Sequence, residues 1–176
     1  MNNKDLLNLI KEEEIDYVDI RFTDTRGTLQ HVTVVSDLVD EDFLEEGFMF
    51  DGSSIAGWKS IEASDMKLMP DSSSAYIDPF YAEKTICVHC SVVEPDTGES
   101  YERDPRGTAE KAEAYLKSSG IGDVAYFGPE AEFFLFDNVK FSNTINKVSY
   151  EVDASAASWN SDTDYEMGNM GHRPGL

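Results

Sequence analysis

The sequence predicts an α+β fold in which a strand-rich domain precedes the beginning of a second, α/β domain. Three observations carry this prediction. Apolar and polar residues alternate between residues 18 and 35, which is typical of strands with one buried face. Short segments rich in β-forming residues continue to residue 93, and the first long helical pattern begins only at Asp104. Hydrophobic residues make up 40% of the 176 residues, which is enough for a core despite the high charge.

The first domain is predicted over residues 14–98. A short helix precedes it, because Leu6, Leu7 and Ile10 share one helical face. Residues 48–58 mix glycine and serine with large apolar side chains, which predicts a structured loop. The other predicted segments are strands at 18–22, 29–35, 67–70, 75–77 and 85–93, and an acidic helical segment at 37–46.

The second domain is predicted over residues 105–176. Pro105 favours a helix start, and Gly120 favours a helix end. Residues 124–136 predict a strand interrupted by Gly-Pro, and residues 148–152 predict a shorter one. So few elements cannot cover both faces of a sheet, so we expect the chain to end inside a domain.

The charge balance is strongly acidic, with 14 Lys and Arg against 35 Asp and Glu and a net charge of −21. This disfavours binding to nucleic acid or to an anionic membrane through general electrostatics. The N-terminus lacks the pattern of a signal peptide, and no apolar stretch approaches the roughly 20 residues of a membrane span. We therefore expect a cytoplasmic protein without nucleic-acid or membrane partners.

The two cysteines stand in the segment Cys87-Val-His-Cys90. Such a spacing can indicate a zinc or redox site. Residues 85–93 are rich in β-forming residues, however, and positions three apart in a strand point to opposite faces. Two reduced thiols are the better interpretation.

Glu130 and Glu132 open the apolar run of the segment GPEAEFFLFD. In an extended chain they would share a face about 6.6 Å apart, and burying them unpaired would be costly. Their oxygens suit hard cations such as Mg2+, and each carboxylate could hold a separate metal where phosphoryl groups transfer. The spacing also fits the acid/base pair of an inverting glycosidase, or two side chains that point to solvent on an edge strand.

Asp51 begins the segment Asp-Gly-Ser-Ser, which ends at Ser54. One interpretation is a turn in which the aspartate side chain binds the backbone. The other is an exposed carboxylate on a rigid loop, available to a cation or an amine. Trp58 could lie in the core or form a stacking surface.

The segments FMFDGSSIAGW, SDMKLMPD, RDPR and GPEAEFFLFD occur together and in order, and they resemble bacterial type I glutamine synthetase. The resemblance runs along the whole chain, from the RFTDTRGTLQHVTV hairpin to GHRP near the end. Ala131 stands where the family usually has proline, a mild departure that removes no ligand. The resemblance implies a β-grasp domain followed by the truncated start of the catalytic α/β domain. It also implies a homo-oligomer, usually a dodecamer, with active sites between subunits.

The resemblance further implies roles for single residues. Glu130 and Glu132 would bind two different divalent metals, Mg2+ or Mn2+, the first near the ATP phosphates and the second nearer glutamate. Asp51 would reach into the neighbouring subunit's site, bind ammonium and help to take its proton. Ser54 would support that loop, and Trp58 would lie near the nucleotide entrance. The implied reaction joins glutamate and ammonia at the expense of ATP, through γ-glutamyl phosphate.

The family's other metal ligands and nucleotide contacts would lie beyond Leu176, so we expect these 176 residues alone to be inactive. Two other hypotheses remain. The chain could belong to a related glutamate–amine ligase that uses another amine, or it could be a naturally short, non-catalytic interaction module.

Overall fold

The structure, a computed structural model, describes residues 1–168. One compact unit covers Met1–Ala125, and a second begins at Tyr126. Within the described range, no helix is both long enough and apolar enough to cross a membrane.

The first unit is built around one mixed β-sheet. The elements of this unit are α1 (Asn3–Glu12), β1 (Tyr17–Thr23), β2 (Leu29–Val35), α2 (Glu41–Glu46), β3 (Phe48–Asp51), β4 (Asp65–Pro70), β5 (Tyr76–Asp78), β6 (Thr85–Val93) and α3 (Pro105–Ser119). The strands lie in the order β2-β1-β6-β4-β3, and β5 also pairs with β6. β1 and β6 are parallel neighbours, and the other pairs are antiparallel. This arrangement confirms the predicted α+β class.

The core lies on one face of this sheet, as the alternation of apolar and polar residues in β1 predicts. Val18, Ile20 and Phe22 are all buried there. Leu6 and Ile10 of α1 join the same apolar cluster, which confirms the predicted helix and its apolar face. The predicted hairpin is also confirmed, because β1 and β2 pair antiparallel along their whole lengths.

The opposite face of β1 is fully buried at one residue, although alternation predicted that this face would be exposed. Asp19 is fully buried there, and its carboxylate accepts hydrogen bonds from Thr33 Oγ1 at 2.7 Å and Arg21 Nε at 2.7 Å. His31 Nδ1 lies 2.6 Å from the same carboxylate. These contacts offset the cost of burying the charge. Burial alone would raise the pKa of Asp19, but the hydrogen bonds outweigh it and lower the pKa.

Residues 48–51 correct the expectation of a loop over residues 48–58. They form β3, which pairs antiparallel with β4 from Phe48 opposite Leu68 to Asp51 opposite Asp65. The pairing explains the difference, because a strand depends on its hydrogen-bonded neighbour as well as on its own residues. The rest of the segment is loop, as predicted.

The cysteines of β6 are free thiols, as predicted, and both are buried. Burial raises the pKa of Cys87 to about 11 and raises that of Cys90 further. Neither thiol therefore has the low pKa of a reactive cysteine.

Helix α3 begins and ends where the sequence predicts. The fully buried carboxylate of Asp104 accepts hydrogen bonds from the backbone N–H groups of Val92, Arg106 and Gly107, at 3.0–3.1 Å. Gly120 ends the helix in the left-handed conformation, with φ 72°. Because Asp104 ties the start of α3 to β6, the helix belongs to the first compact unit. The boundary between domains 14–98 and 105–176 remains a prediction.

The strand predicted over residues 124–136, most of which belong to the second unit, is absent, and this prediction was wrong. Those residues form no regular secondary structure, and Phe133 and Phe134 are 78% and 87% exposed. A strand needs a neighbour for its backbone hydrogen bonds, and within the described part of the chain none pairs with this segment. The unit's strands are β7 (Asn138–Thr144) and β8 (Lys147–Asp153), an antiparallel hairpin. β8 confirms the strand predicted at 148–152, whereas β7 was missed.

Candidate functional site

Asp51 is the last residue of β3 and the N-cap of a 3-10 helical turn over Gly52–Ser54. Its Oδ1 accepts hydrogen bonds from the hydroxyl of Ser53 at 2.6 Å and from the backbone N–H of Ser53 at 2.9 Å. These bonds lower the pKa of Asp51, the hydroxyl contact most strongly. The residue is nevertheless exposed. The turn interpretation is therefore confirmed, and the turn leaves the carboxylate exposed. Its availability to a cation or an amine stays a prediction.

Gly52 holds the chain after Asp51 close to β4. Its backbone N–H donates to the carbonyl of Ser64 at 2.7 Å. A Cβ at this position would lie 2.2 Å from Met66 Sδ, so only glycine fits without a shift of the methionine. Ser54 is exposed at the end of the turn, near Asp51 along the chain.

A second carboxylate lies across the strand pair from Asp51. The register of β3 and β4 puts Asp65 directly opposite Asp51, and both residues are exposed. Like charges in opposite positions repel each other, and together they make this end of the strands negative. The local sequence does not indicate this proximity, because only the strand register brings Asp65 opposite Asp51.

Trp58 lies in the core of the first unit and is 6% exposed. Its ring contacts Phe22 at 5.5 Å and Tyr101 at 5.2 Å between centroids. Among the residues described, its indole Nε1 has no hydrogen-bond partner. This position agrees with the core alternative and gives no support to a stacking surface. The nucleotide-binding role of Trp58 remains a prediction.

Glu130 and Glu132 lie in a segment of the second unit without regular secondary structure, whereas Asp51, Ser54 and Trp58 belong to the first unit. Both glutamates are exposed, and neither forms an ion pair or hydrogen bond with any of residues 1–168. Over the same range, no three His, Cys, Asp or Glu side chains are grouped so that they could hold a metal ion. Carboxylate oxygens fit Mg2+ or Mn2+ chemically, so the two glutamates are compatible with metal binding but do not form a metal site by themselves.

Two family models match the chain in order. One describes the β-grasp domain of glutamine synthetase and matches residues 14–95. The other describes the catalytic domain of glutamine synthetase and matches residues 102–172. Together they cover most of the chain, which therefore belongs to the glutamine synthetase family, a family of ligases. The first match also confirms the β-grasp fold. The GHRP segment, at residues 171–174, lies outside the described residues.

Individual relatives agree with this assignment. The chain is 75% identical over 171 residues to the glutamine synthetase of Cereibacter sphaeroides, which covers 97% of this chain and 37% of that protein. It is 73% identical over 172 residues to the glutamine synthetase of Rhodobacter capsulatus, with 98% and 39% covered. A solved structure of Plasmodium falciparum glutamine synthetase superposes with a TM-score of 0.66 at 25% identity, covering 86% of this chain and 29% of that one. The chain thus spans less than half the length of these relatives.

Proposed function

We propose that this chain supplies part of the active site of an ATP-dependent glutamate–ammonia ligase. The match of both glutamine synthetase domain models, in order along the chain, carries this proposal. In the proposed reaction, the side-chain carboxylate of glutamate attacks the γ-phosphoryl group of ATP. Ammonia then displaces phosphate from the γ-glutamyl phosphate, which yields glutamine, ADP and phosphate.

Asp51 is proposed to attract ammonium and to accept or relay its proton. Its exposed carboxylate has a lowered pKa, so it remains negative throughout the neutral range. Asp65, opposite it in the register, adds to the negative potential that draws a cation to this end of the strands. Ser54 would help to support the turn that presents Asp51.

Glu130 and Glu132 are proposed to hold two divalent cations, Mg2+ or Mn2+, one each. Bound cations would neutralise the charge of the phosphates and of the attacking carboxylate. The glutamates themselves provide exposed oxygens that no ion pair with the described residues occupies. One carboxylate per metal is too few for tight binding, so the remaining ligands must come from the rest of a complete catalytic domain. We also propose that the complete sites form between subunits of a homo-oligomer.

A chimera would test the role of Asp51. This chain would replace the matching part of the Cereibacter sphaeroides glutamine synthetase, with which it shares 75% identity. Replacing Asp51 by Asn keeps the shape of the side chain and removes its charge. We expect KM for ammonium to rise about tenfold or more, with little change in KM for ATP.

The matched control is Asp37→Asn in the same chimera, because Asp37 is also an exposed acid of the first unit. If Asp51→Asn and Asp37→Asn gave the same KM for ammonium, Asp51 would have no part in binding this substrate.

A further inference from the structure

In the first part of the loop between β3 and β4, a series of turns connects Asp51 to Trp58. The backbone N–H of Ile55 donates to the carbonyl of Gly52 at 3.2 Å, and that of Trp58 donates to the carbonyl of Ile55 at 3.1 Å. A displacement at Trp58 would therefore be passed back to Asp51. We call residues 57–59 the loop anchor.

Lys59 fastens the loop anchor to the segment that follows β6. Its Nζ donates to both carboxylate oxygens of Glu94, at 2.7 and 2.8 Å, and lies 5.2 Å from the centroid of the Tyr101 ring. The side chains of Lys59 and Glu94 are 21% and 34% exposed. A charged pair with this partial burial and with additional contact to an aromatic face is better fixed than an ordinary surface pair.

Two further contacts join the loop anchor to the segment that follows β6. The guanidinium of Arg103 donates a hydrogen bond to the carbonyl of Gly57. The ring of Trp58 meets the ring of Tyr101 nearly edge-on, at 5.2 Å and 60°. The loop anchor is thus held by a charge pair, a hydrogen bond from a side chain to the backbone, and an aromatic contact.

The segment that these contacts join to the loop anchor, residues 94–104, is itself held to β6. The backbone N–H of Tyr101 donates to the carbonyl of Val92 at 2.8 Å, and that of Glu94 donates to the carbonyl of Glu99 at 2.9 Å. The buried carboxylate of Asp104 then binds the N–H of Val92. The loop anchor is therefore fastened to the end of β6.

We propose that Lys59 and Arg103 are positioning residues for the ammonium site. They hold the loop anchor so that the turn at its other end presents the Asp51 carboxylate in one place. The proposal rests on the proposed function of Asp51. It also assigns a role to Trp58, which would position the loop from within the core.

The first test is steady-state kinetics in the chimera described above. Lys59→Met keeps most of the side chain and removes its charge. We expect KM for ammonium to rise about tenfold, since small displacements of a binding group have large effects, while kcat and KM for ATP stay within about twofold. Exchanging the charges, with Lys59→Glu and Glu94→Lys together, should restore much of the affinity for ammonium.

The matched control is Lys117→Met. Lys117 also pairs with a glutamate at 2.7 Å, but this pair, with Glu113, is on the surface of α3, with side chains 56% and 61% exposed. We expect this variant to behave as the unaltered chimera. If Lys59→Met gave the same KM for ammonium as Lys117→Met, the positioning role would be wrong. It would also be wrong if Lys59→Met lowered kcat and raised both KM values in step with a loss of thermal stability.

The second test does not depend on activity. The chain has two tryptophans, so Trp159→Phe leaves Trp58 as the single indole fluorophore. In the 176-residue chain with Trp159→Phe, Lys59→Met should increase the acrylamide quenching of Trp58 fluorescence about twofold, because the anchored loop keeps the indole buried. Unchanged quenching would contradict the anchor.

The two proposals fail in different ways. If Asp51→Asn does not alter KM for ammonium, the function proposed for Asp51 is wrong, and quenching still reports whether Lys59 anchors the loop. If Asp51→Asn raises this KM but Lys59→Met does not, only the positioning proposal is overturned.

Discussion

Asp19 and Asp51 show how hydrogen bonds keep a carboxylate ionised in opposite surroundings. Asp19 is fully buried, and its neighbours outweigh the burial that would raise its pKa. Asp51 is exposed, and the bonds from Ser53 lower its pKa without taking it out of solvent. The first carboxylate can therefore serve stability, whereas the second is exposed at the place where we propose that ammonium binds.

We expect Asp19→Asn to destabilise the first unit by about 3 kcal/mol, because it removes the carboxylate that pairs with the largely buried guanidinium of Arg21. Urea unfolding followed by Trp58 fluorescence, in the Trp159→Phe background, would measure the loss. Asp37→Asn, at an exposed acid, should change the free energy of unfolding by less than about 0.5 kcal/mol. An equal effect of the two changes would contradict the structural role of Asp19.

The same carboxylate predicts the direction of a pH effect. The pKa of Asp19 in the folded chain is lowered from its ordinary value of 3.8, so its contribution is present above that value. It is lost as the pH falls through the folded pKa, because the carboxylate must then take up a proton. The free energy of unfolding should fall more steeply below pH about 4 in the unaltered chain than in Asp19→Asn. Parallel pH profiles would show that Asp19 is not responsible.

Glu130 and Glu132 lead to a prediction about metal dependence. In the chimera, Glu130→Gln and Glu132→Gln should each raise the Mg2+ concentration needed for half-maximal activity, by about tenfold or more. Each change replaces an anionic ligand by a neutral amide of the same shape. Glu166→Gln provides the control, since Glu166 is another exposed acid of the second unit. A metal requirement equal to that of the control would exclude both glutamates as ligands.

Among the elements, those whose residues determine their own conformation were predicted best. β6 follows the continuous run of β-forming residues at 85–93, and α3 follows its cap at Asp104 and its stop at Gly120. The strand expected at 124–136 was wrong because its residues favour extension but lack a neighbouring strand among the described residues. β7 was missed because the residues NVKFSNT alternate only weakly.

The candidate site was likewise predictable only where the local sequence determines the conformation. Asp51 could be recognised because the local sequence both forms its turn and leaves its carboxylate exposed. Asp65, Lys59 and Arg103 could not, because a strand register and contacts distant in sequence bring them to the loop. The spacing of Glu130 and Glu132 suggests a chemistry, but a metal site depends on ligands that this spacing does not supply.

Helix α3 offers a prediction at the scale of the element. Asp104→Ala should destabilise the first unit by about 2–3 kcal/mol, because it leaves several buried N–H groups without an acceptor. Asp40 provides the comparison, since it caps α2 through one exposed hydrogen bond, to the N–H of Phe43 at 2.8 Å. Asp40→Ala should cost only about 1 kcal/mol. Urea unfolding of both variants would measure the difference, and equal losses would argue against the role of Asp104 as a link to β6.

For the whole molecule, the two units present their proposed functional carboxylates differently. The first unit has a complete core and presents Asp51 from a fastened loop. The second presents Glu130 and Glu132 from a segment without regular secondary structure, beside exposed aromatic side chains. Since the chain spans 37% of its Cereibacter sphaeroides relative, the catalytic cycle that we propose belongs to a larger assembly to which this chain contributes.

The most direct measurement is glutamine formation by the unaltered chimera, compared with the Cereibacter sphaeroides enzyme and with the 176-residue chain alone. Our account predicts that the chimera forms glutamine from glutamate and ammonium only when ATP is present, at a rate within about tenfold of the parent enzyme. It predicts no glutamine formation by the chain alone. A folded chimera that forms no glutamine while the parent is active would contradict the proposed function, and glutamine formation by the chain alone would contradict its dependence on a larger assembly.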